Sequence, residues 1–235
     1  MVQVSNPGYA VLRVKFNKTG SLQYISHLDL VRTMNKIIVR ANLPLWYTEG
    51  FNPKPKMVFA APLSIGTESR AEYMDIRLTH RIPTEEAKAA LNRNLTDEMQ
   101  VSEVYYPETK LTDMKWLEYE MTVKTDGASD DLAAKCESFL LGDEVSVQKK
   151  NKNQKDEPVF MNIRPGIKEV ACSYDGEYIK IKCILSADAS SFLNPEYVIK
   201  ALRKNLGVLS DPCLVNEYYS IMRVRAYCLD MTEFN

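Results

Sequence analysis

The sequence predicts an α+β protein made of two ferredoxin-like βαββαβ units, each an antiparallel sheet with helices on one face. Three observations lead to this prediction. Apolar residues recur with period two in some segments and with helical spacing in others, in the order strand, helix, strand, strand, helix, strand. The same order then occurs a second time, and 235 residues are enough for two ordinary domains. We place the first domain at residues 1–110 and the second at 111–235.

The first unit begins with a strand at Tyr9–Phe16, where apolar residues alternate with polar ones. A helix follows at Ser26–Ala41, because Ser26 and Asp29 form a capping-box pattern and apolar residues then recur at helical spacing. The remaining predicted elements are strands at Lys56–Ala61, Glu72–Leu78 and Met99–Tyr106 and a helix at Thr84–Leu95.

The second unit repeats this order from Trp116 onward. Its helices are predicted at 130–141 and 195–205, the latter with proline in its first turn and Gly207 just beyond its end. The segment KKNKNQKDE, residues 149–157, has the composition of a hairpin tip. The predicted strands are Trp116–Lys124, Glu144–Lys149, Tyr178–Leu185 and Tyr218–Leu229.

Composition limits the classes of function. The net charge of −1 gives the whole chain no general attraction to nucleic acid, so any such attraction has to be local. Five widely spaced cysteines without a CxxC pair argue against a disulfide framework or a zinc site. No apolar run is long enough to span a membrane, and the first residues do not resemble a secretory signal. We therefore expect a cytoplasmic protein without membrane contact.

The first predicted helix carries a row of cations opposite its apolar stripe. Arg32, Lys36 and Arg40 recur every four residues, and the following loop adds Lys54 and Lys56. Between residues 32 and 60 these five cations stand against one acid, a local balance of +4. Aromatic residues are interleaved with them, and this combination suits phosphate contact and base stacking. Packing of the aromatics in the core is the structural alternative.

The loop GFNPKPK, residues 50–56, is predicted to be stiff. Its glycine permits a tight turn, and its two prolines restrict the backbone. Such a loop would hold Asn52, Lys54 and Lys56 in place before a ligand binds. We expect all five cations, those of the helix and those of the loop, to contact phosphates. Asn52, with Trp46 or Tyr47, is expected to contact bases.

His27 is the candidate for catalysis. It directly follows the predicted helix cap and lies close in sequence to Tyr24, so its imidazole could act as an acid or base on an RNA 2′-hydroxyl. A simple hydrogen bond to a neighbouring loop is the structural alternative. Glu68, Glu72 and Asp75 are close in sequence, but Glu72 and Asp75 fall on opposite faces of a strand, so we predict no metal site.

The motifs SHLDLVRTMNKIIVRANLP and GFNPKPKMVFAAPLSIGTESRAEYMDIRL, and more weakly NIRPGI at residues 162–167, resemble the bacterial radical-SAM-linked protein family, a domain of unknown function. The resemblance covers essentially the whole chain. It implies a partner, a radical-SAM protein, to which members are either fused or attached as separate proteins. The chain itself has no CxxxCxxC motif, so the cluster and the radical chemistry would belong to the partner, and we predict no cofactor here.

Together these features predict an RNA-binding accessory protein that presents structured RNA, such as tRNA or rRNA, to a radical-SAM partner. Two alternatives remain open at this stage. One is a metal-independent enzyme that cleaves or modifies RNA with His27, and the other is a protein–protein scaffold for the same partner. The oligomeric state is left open.

Overall fold

The computed structural model describes residues 8–149, 159–210 and 217–235. The predicted hairpin tip after residue 149 and Cys213 lie outside these ranges. The chain divides into two compact units. The N-terminal unit extends to Met114 and includes Phe234 and Asn235, and the C-terminal unit is Lys115–Glu233.

The N-terminal unit contains four strands and two α-helices. They are β1 (Ala10–Lys18), α1 (His27–Arg40), β2 (Met57–Phe59), β3 (Thr67–Leu78), α2 (Thr84–Asn92) and β4 (Val101–Tyr105). The strands pair antiparallel in the order β4-β1-β3-β2, so β1 lies between β3 and β4. Both predicted helices and all four predicted strands of this half are present, with β3 beginning five residues earlier than predicted.

One hydrophobic core holds this unit together. Leu12, Val14 and Phe16 of β1 are fully buried, and Met34 and Ile38 of α1 pack in the same cluster. Residues of α2 belong to the cluster too, so both helices cover the same face of the sheet. Burial of one large apolar side chain contributes about 1.5–3 kcal/mol, which makes this cluster the main source of the unit's stability.

The opposite face of the same sheet carries a buried ion pair. The Arg13 guanidinium donates to both carboxylate oxygens of Asp75, at 2.7 and 3.0 Å, from the neighbouring strand. It also donates to Thr109 Oγ1 at 2.7 Å and lies 4.7 Å from the centre of the Phe234 ring. This side of the sheet is therefore occupied by internal contacts around Arg13.

The C-terminal unit has its elements at β5 (Trp116–Lys124), α3 (Asp130–Leu140), β6 (Ser146–Gln148), β7 (Phe160–Asn162), β8 (Ile167–Tyr174), β9 (Ile179–Ser186), α4 (Glu196–Leu206) and β10 (Tyr218–Tyr227). Its main sheet has the antiparallel order β10-β5-β9-β8, while β6 and β7 pair only with each other. The prediction was wrong at one strand here. Residues 144–149 contribute β6 to the small hairpin, and the edge of the main sheet is β8, which the apolar pattern did not indicate.

The described residues therefore form a mixed α+β protein with antiparallel sheets and four α-helices. Among them no helix combines the length and apolar character needed to cross a membrane. Cys136, Cys172, Cys183 and Cys228 are all free thiols.

Candidate nucleic-acid interface

The helix α1 begins where the sequence predicted. The Ser26 side chain accepts a hydrogen bond from the Asp29 amide at 3.2 Å and donates to the Asp29 carboxylate at 2.7 Å. These bonds satisfy a donor that the first helical turn would otherwise leave unpaired. Because the buried stripe of α1 fixes its rotation, the three cations spaced by four residues lie on the exposed side.

The cations of α1 differ in their partners. Arg32 pairs with Asp29 at 3.4 Å, and both side chains are more than half exposed. An exposed pair of this kind contributes only about 0.2–0.5 kcal/mol. Within the described residues, Lys36 and Arg40 have no carboxylate within ion-pair distance. One cation of the row is thus partly compensated and two are available to an anion, with about 6 Å of helix rise between neighbours.

Residues 46–56 form a closed loop, here called the 46–56 loop. The Thr48 amide donates to the Lys54 carbonyl at 2.9 Å, and the Lys54 amide donates back to Thr48 Oγ1 at 3.1 Å. Tyr47 and Pro55 form an antiparallel bridge just outside this pair. The loop is therefore a short irregular hairpin whose base is fixed by main-chain hydrogen bonds.

Strand β3 holds the base of the 46–56 loop. The Trp46 amide donates to the Arg77 carbonyl at 2.9 Å, and the Arg77 amide donates to the Lys56 carbonyl at 3.0 Å. The loop is attached to the sheet through these bonds. Lys54 is exposed and Lys56 is half-buried, and the described residues provide neither with an ion-pair partner.

Of the two aromatic residues predicted to contact bases, only Tyr47 is exposed. Trp46 is half-buried and packs against Tyr9, with ring centres 5.8 Å apart. The Arg77 guanidinium lies 4.2 Å from the Tyr9 ring centre and 5.6 Å from that of Trp46. Trp46 thus has a structural contact that fixes the loop base, and Tyr47 has its ring available to a ligand.

Phe51 was not among the predicted site residues. Phe51 is fully exposed at the tip of the 46–56 loop, beside the exposed Asn52. Gly50 precedes it with φ of +120°, a conformation that residues with a side chain rarely adopt. The signal in the sequence was an aromatic residue flanked by turn formers, in Gly-Phe-Asn-Pro.

The two candidate catalytic residues lie on different elements: Tyr24 ends a 3₁₀ turn and His27 begins α1. His27 is exposed, and its ring meets Phe59 of β2 edge-on with centres 5.4 Å apart. Within residues 8–149, 159–210 and 217–235, His27 makes no hydrogen bond to Tyr24 or Lys54. Among the described residues, neither of these two groups orients the imidazole as an acid or base.

Tyr24 is presented by a 3₁₀ turn at Gly20–Tyr24. The buried Lys18 ammonium donates to the Leu22 and Gln23 carbonyls at 3.1 and 3.3 Å and so fixes the turn to β1. Hydrogen bonds from the Ser21 hydroxyl and amide hold the pKa of Glu98 below its ordinary value. The turn is therefore well anchored, and the Tyr24 side chain is 67% exposed on it.

The described residues contain no group of three or more His, Cys, Asp or Glu side chains arranged to hold a metal ion. Asp75 is occupied by Arg13, and Glu68 accepts the Gly20 amide at 2.7 Å. Glu68 and Asp75 thus each have a structural contact of their own.

A family model described as "Uncharacterized protein conserved in bacteria (DUF2344)" matches residues 11–195. The chain belongs to this family. The match includes α1, the 46–56 loop and the NIRPGI segment of this DUF2344 protein, and its description names no activity or partner. No curated protein matches the chain.

Solved structures similar to this DUF2344 protein include the following two. One chain of "Crystal Structure of a Cbf5-Nop10-Gar1 Complex" matches 92% of the present chain with a TM-score of 0.50 and 10% identity. The present protein spans only 48% of the length of that chain. At this identity the similarity concerns the fold alone. A protein described as "Crystal Structure of an Unknown Protein from Galdieria sulphuraria" matches with a TM-score of 0.27 and 10% identity, covering 92% of this chain and 99% of that one. This second similarity is too weak to support a fold inference.

Proposed function

We propose that this protein is an RNA-binding accessory protein whose RNA contact surface is formed by α1 and the 46–56 loop. The observation that carries the proposal is a pair of cationic elements: Lys36 and Arg40 on α1, and Lys54 and Lys56 in the loop. Among the described residues, none of these four has a carboxylate within ion-pair distance. Cations of this kind bind a polyanion by releasing its counterions. With a net charge of −1 the chain as a whole offers a polyanion no attraction, so this region would have to supply it.

The form of the loop supports the same proposal. Main-chain bonds fix its base, and Pro53 and Pro55 restrict its backbone. A loop that is already ordered loses little conformational freedom when a ligand binds. Tyr47 and Asn52 are exposed next to the cations and would contact bases.

The fold proposal extends to both units. In the N-terminal unit β1 lies between β3 and β4, and in the C-terminal unit β5 lies between β9 and β10. We propose that each is a ferredoxin-like unit and that β6–β7 is an insertion in the second. The 1–110 and 111–235 division would then correspond to the two units.

A radical-SAM protein is the proposed partner, and the support is the resemblance of the SHLDL and GFNPKPK motifs. RNA such as tRNA or rRNA would be the molecule presented to it. A pull-down from bacterial extract, with and without nuclease, tests this arrangement. Loss of the radical-SAM partner after nuclease treatment is expected if RNA bridges the two, and retention would favour the scaffold alternative.

The enzymatic alternative has less support, because His27 has no oriented acid or base beside it among the described residues. Incubating the pure protein with total RNA and a chelator tests it directly. We expect intact RNA. Cleavage that disappears in His27→Ala would establish the alternative instead.

The test of RNA binding uses two variants with the same change in net charge. Lys54→Ala/Lys56→Ala removes two cations from the loop, and Lys168→Ala/Lys204→Ala removes two exposed cations from the C-terminal unit, where they lie over the Trp116 and Phe160 rings. Each phosphate contact on single-stranded RNA contributes about 0.7 to the slope of log K against log salt.

The loop variant should therefore lower this slope by about 1.4, whereas the control variant should leave it unchanged. Equal losses in both variants would mean that binding follows net charge alone. Absence of salt-dependent RNA binding in the unmodified protein would reject the proposed function.

A further inference from the structure

The tip of the 46–56 loop presents a phenylalanine that the fold does not use. Phe51 is the most exposed of the seven phenylalanines, all of which lie in described residues. Phe16 and Phe234 are fully buried, and Phe160 is 53% exposed beneath the Lys204 ammonium. Phe51 has no ring or cation contact within the described residues. Its ring therefore contributes no packing to the folded protein.

The loop holds this ring away from the core by its construction. The Thr48–Lys54 hydrogen bonds close the loop below the tip, and the space around Gly50 is open. Pro53 restricts Asn52 to extended conformations and so limits the rearrangements available to the tip. These constraints favour the exposed position of Phe51.

The surroundings of Phe51 determine what could cover it. Lys54 follows three residues later with an exposed ammonium, Lys56 follows it, and Asn52 supplies a side chain that both donates and accepts hydrogen bonds. Glu49 is the single acid of this segment. An occupant that presents a flat apolar surface next to a negative charge satisfies these groups together, and a nucleobase with its phosphate has both features.

From this arrangement we infer that the loop recognises unpaired nucleotides and that one base stacks on Phe51. The inference rests on the proposed function and specifies the RNA that it binds. A base inside a duplex is already stacked on both faces, whereas a base in a loop, a bulge or a single-stranded end exposes a face to an aromatic side chain. Structured RNA would then be held at its unpaired positions.

The experiment measures binding of the full chain to one labelled RNA in two forms, single-stranded and annealed to its complement. Phe51→Ala is compared with Phe160→Ala, a matched removal of an exposed phenylalanine in the C-terminal unit. Loss of one base stack weakens binding about 5- to 150-fold. We expect this loss for Phe51→Ala on the single strand only, with the salt slope preserved, while Phe51→Trp keeps the affinity and Phe160→Ala has no effect.

The outcomes separate this inference from the proposed function. If Phe51→Ala and Phe160→Ala bind the single strand equally well while Lys54→Ala/Lys56→Ala still lowers the salt slope, the stacking role is wrong and RNA binding stands. Tighter binding to the annealed form would also overturn the stacking role. If the unmodified protein binds neither form, both the inference and the proposed function fail. Loss of a protein partner in Phe51→Ala, with RNA binding intact, would assign the ring to that partner instead.

Discussion

The stiffness of the 46–56 loop can be separated experimentally from its charge. Replacing both prolines, as Pro53→Ala/Pro55→Ala, retains every cation and every aromatic side chain. It also retains the Thr48–Lys54 hydrogen bonds, which do not involve the prolines. What changes is the number of conformations available to the tip in the unbound protein, because alanine does not fix φ.

The expected loss of RNA affinity follows from the larger number of conformations that the unbound loop can adopt. Each proline reduces the conformational entropy of the flexible state by an amount equivalent to about 0.4–1 kcal/mol. Two such changes require about 0.8–2 kcal/mol more ordering on binding, which corresponds to about a 4- to 30-fold weaker affinity. Because Lys54 and Lys56 remain, the same number of counterions is released and the salt slope should not change.

Fluorescence anisotropy with a labelled single-stranded RNA at several salt concentrations measures both quantities at once. The proline variant should shift the whole line of log K against log salt without changing its slope, in contrast to Lys54→Ala/Lys56→Ala. An affinity within twofold of the unmodified protein would refute the role of stiffness. A reduced slope would mean that the prolines position the cations on the phosphates.

Three further predictions concern charge and stability. Asp29→Asn removes the acid beside Arg32, the first cation of α1, so RNA affinity should rise about twofold. The same change weakens the start of the helix and should lower the unfolding free energy by about 0.5–1 kcal/mol. Anisotropy measures the first effect and thermal melting the second, and unchanged values in both would contradict the Asp29–Arg32 pairing. Arg13→Met leaves Asp75 without its buried partner and should lower the unfolding free energy by about 3–5 kcal/mol in urea titration, with Arg13→Met/Asp75→Leu less destabilised than the single variant. The Lys115 hydrogen bond holds the pKa of Asp188 well below its usual range, so this pair contributes stability above the unfolded pKa of about 3.9, and the contribution is lost as pH falls through the lowered pKa. The difference in unfolding free energy between the unmodified protein and Asp188→Asn, measured by urea titration, should therefore become smaller below about pH 4. A difference that does not change with pH would refute this prediction.

The N-terminal unit could be predicted closely from its sequence because its signals were strong and local. Ser26 and Asp29 define the start of α1, and burial of the apolar stripe after them fixes the rotation of the helix about its own axis. Strand β3 was predicted too short, since its first part contains Thr67 and Ser69, which are polar but buried. A pattern based on apolar residues cannot indicate a strand whose inward side chains are polar.

The C-terminal unit shows where apolar periodicity is insufficient. Strand β8 (Ile167–Tyr174) lies at the sheet edge and has mostly exposed or half-buried side chains, so alternation is weak in its sequence. Residues 144–149 have a stronger pattern, yet they pair with Phe160–Asn162 in a separate hairpin. Strand pairing depends on residues distant in sequence, and a local pattern does not contain that information.

At the candidate site the sequence indicated the cations but could not assign the aromatic side chains. Trp46, Tyr47 and Phe51 are close in sequence, yet Trp46 packs against Tyr9 whereas Phe51 is fully exposed. A hydrophobic residue in the sequence can be a core residue or a ligand contact, and its hydrophobicity does not distinguish the two roles. The turn formers around Phe51 were the information that distinguished it.

Crosslinking by ultraviolet light in living bacteria, followed by mass spectrometry of the protein–RNA adducts, tests the RNA-binding surface most directly. If α1 and the 46–56 loop bind RNA, nucleotide adducts should be found on the peptide containing residues 46–56, and Lys54→Ala/Lys56→Ala should reduce them. Adducts confined to the C-terminal unit, or a yield that the lysine variant does not change, would contradict the assignment of RNA binding to this surface.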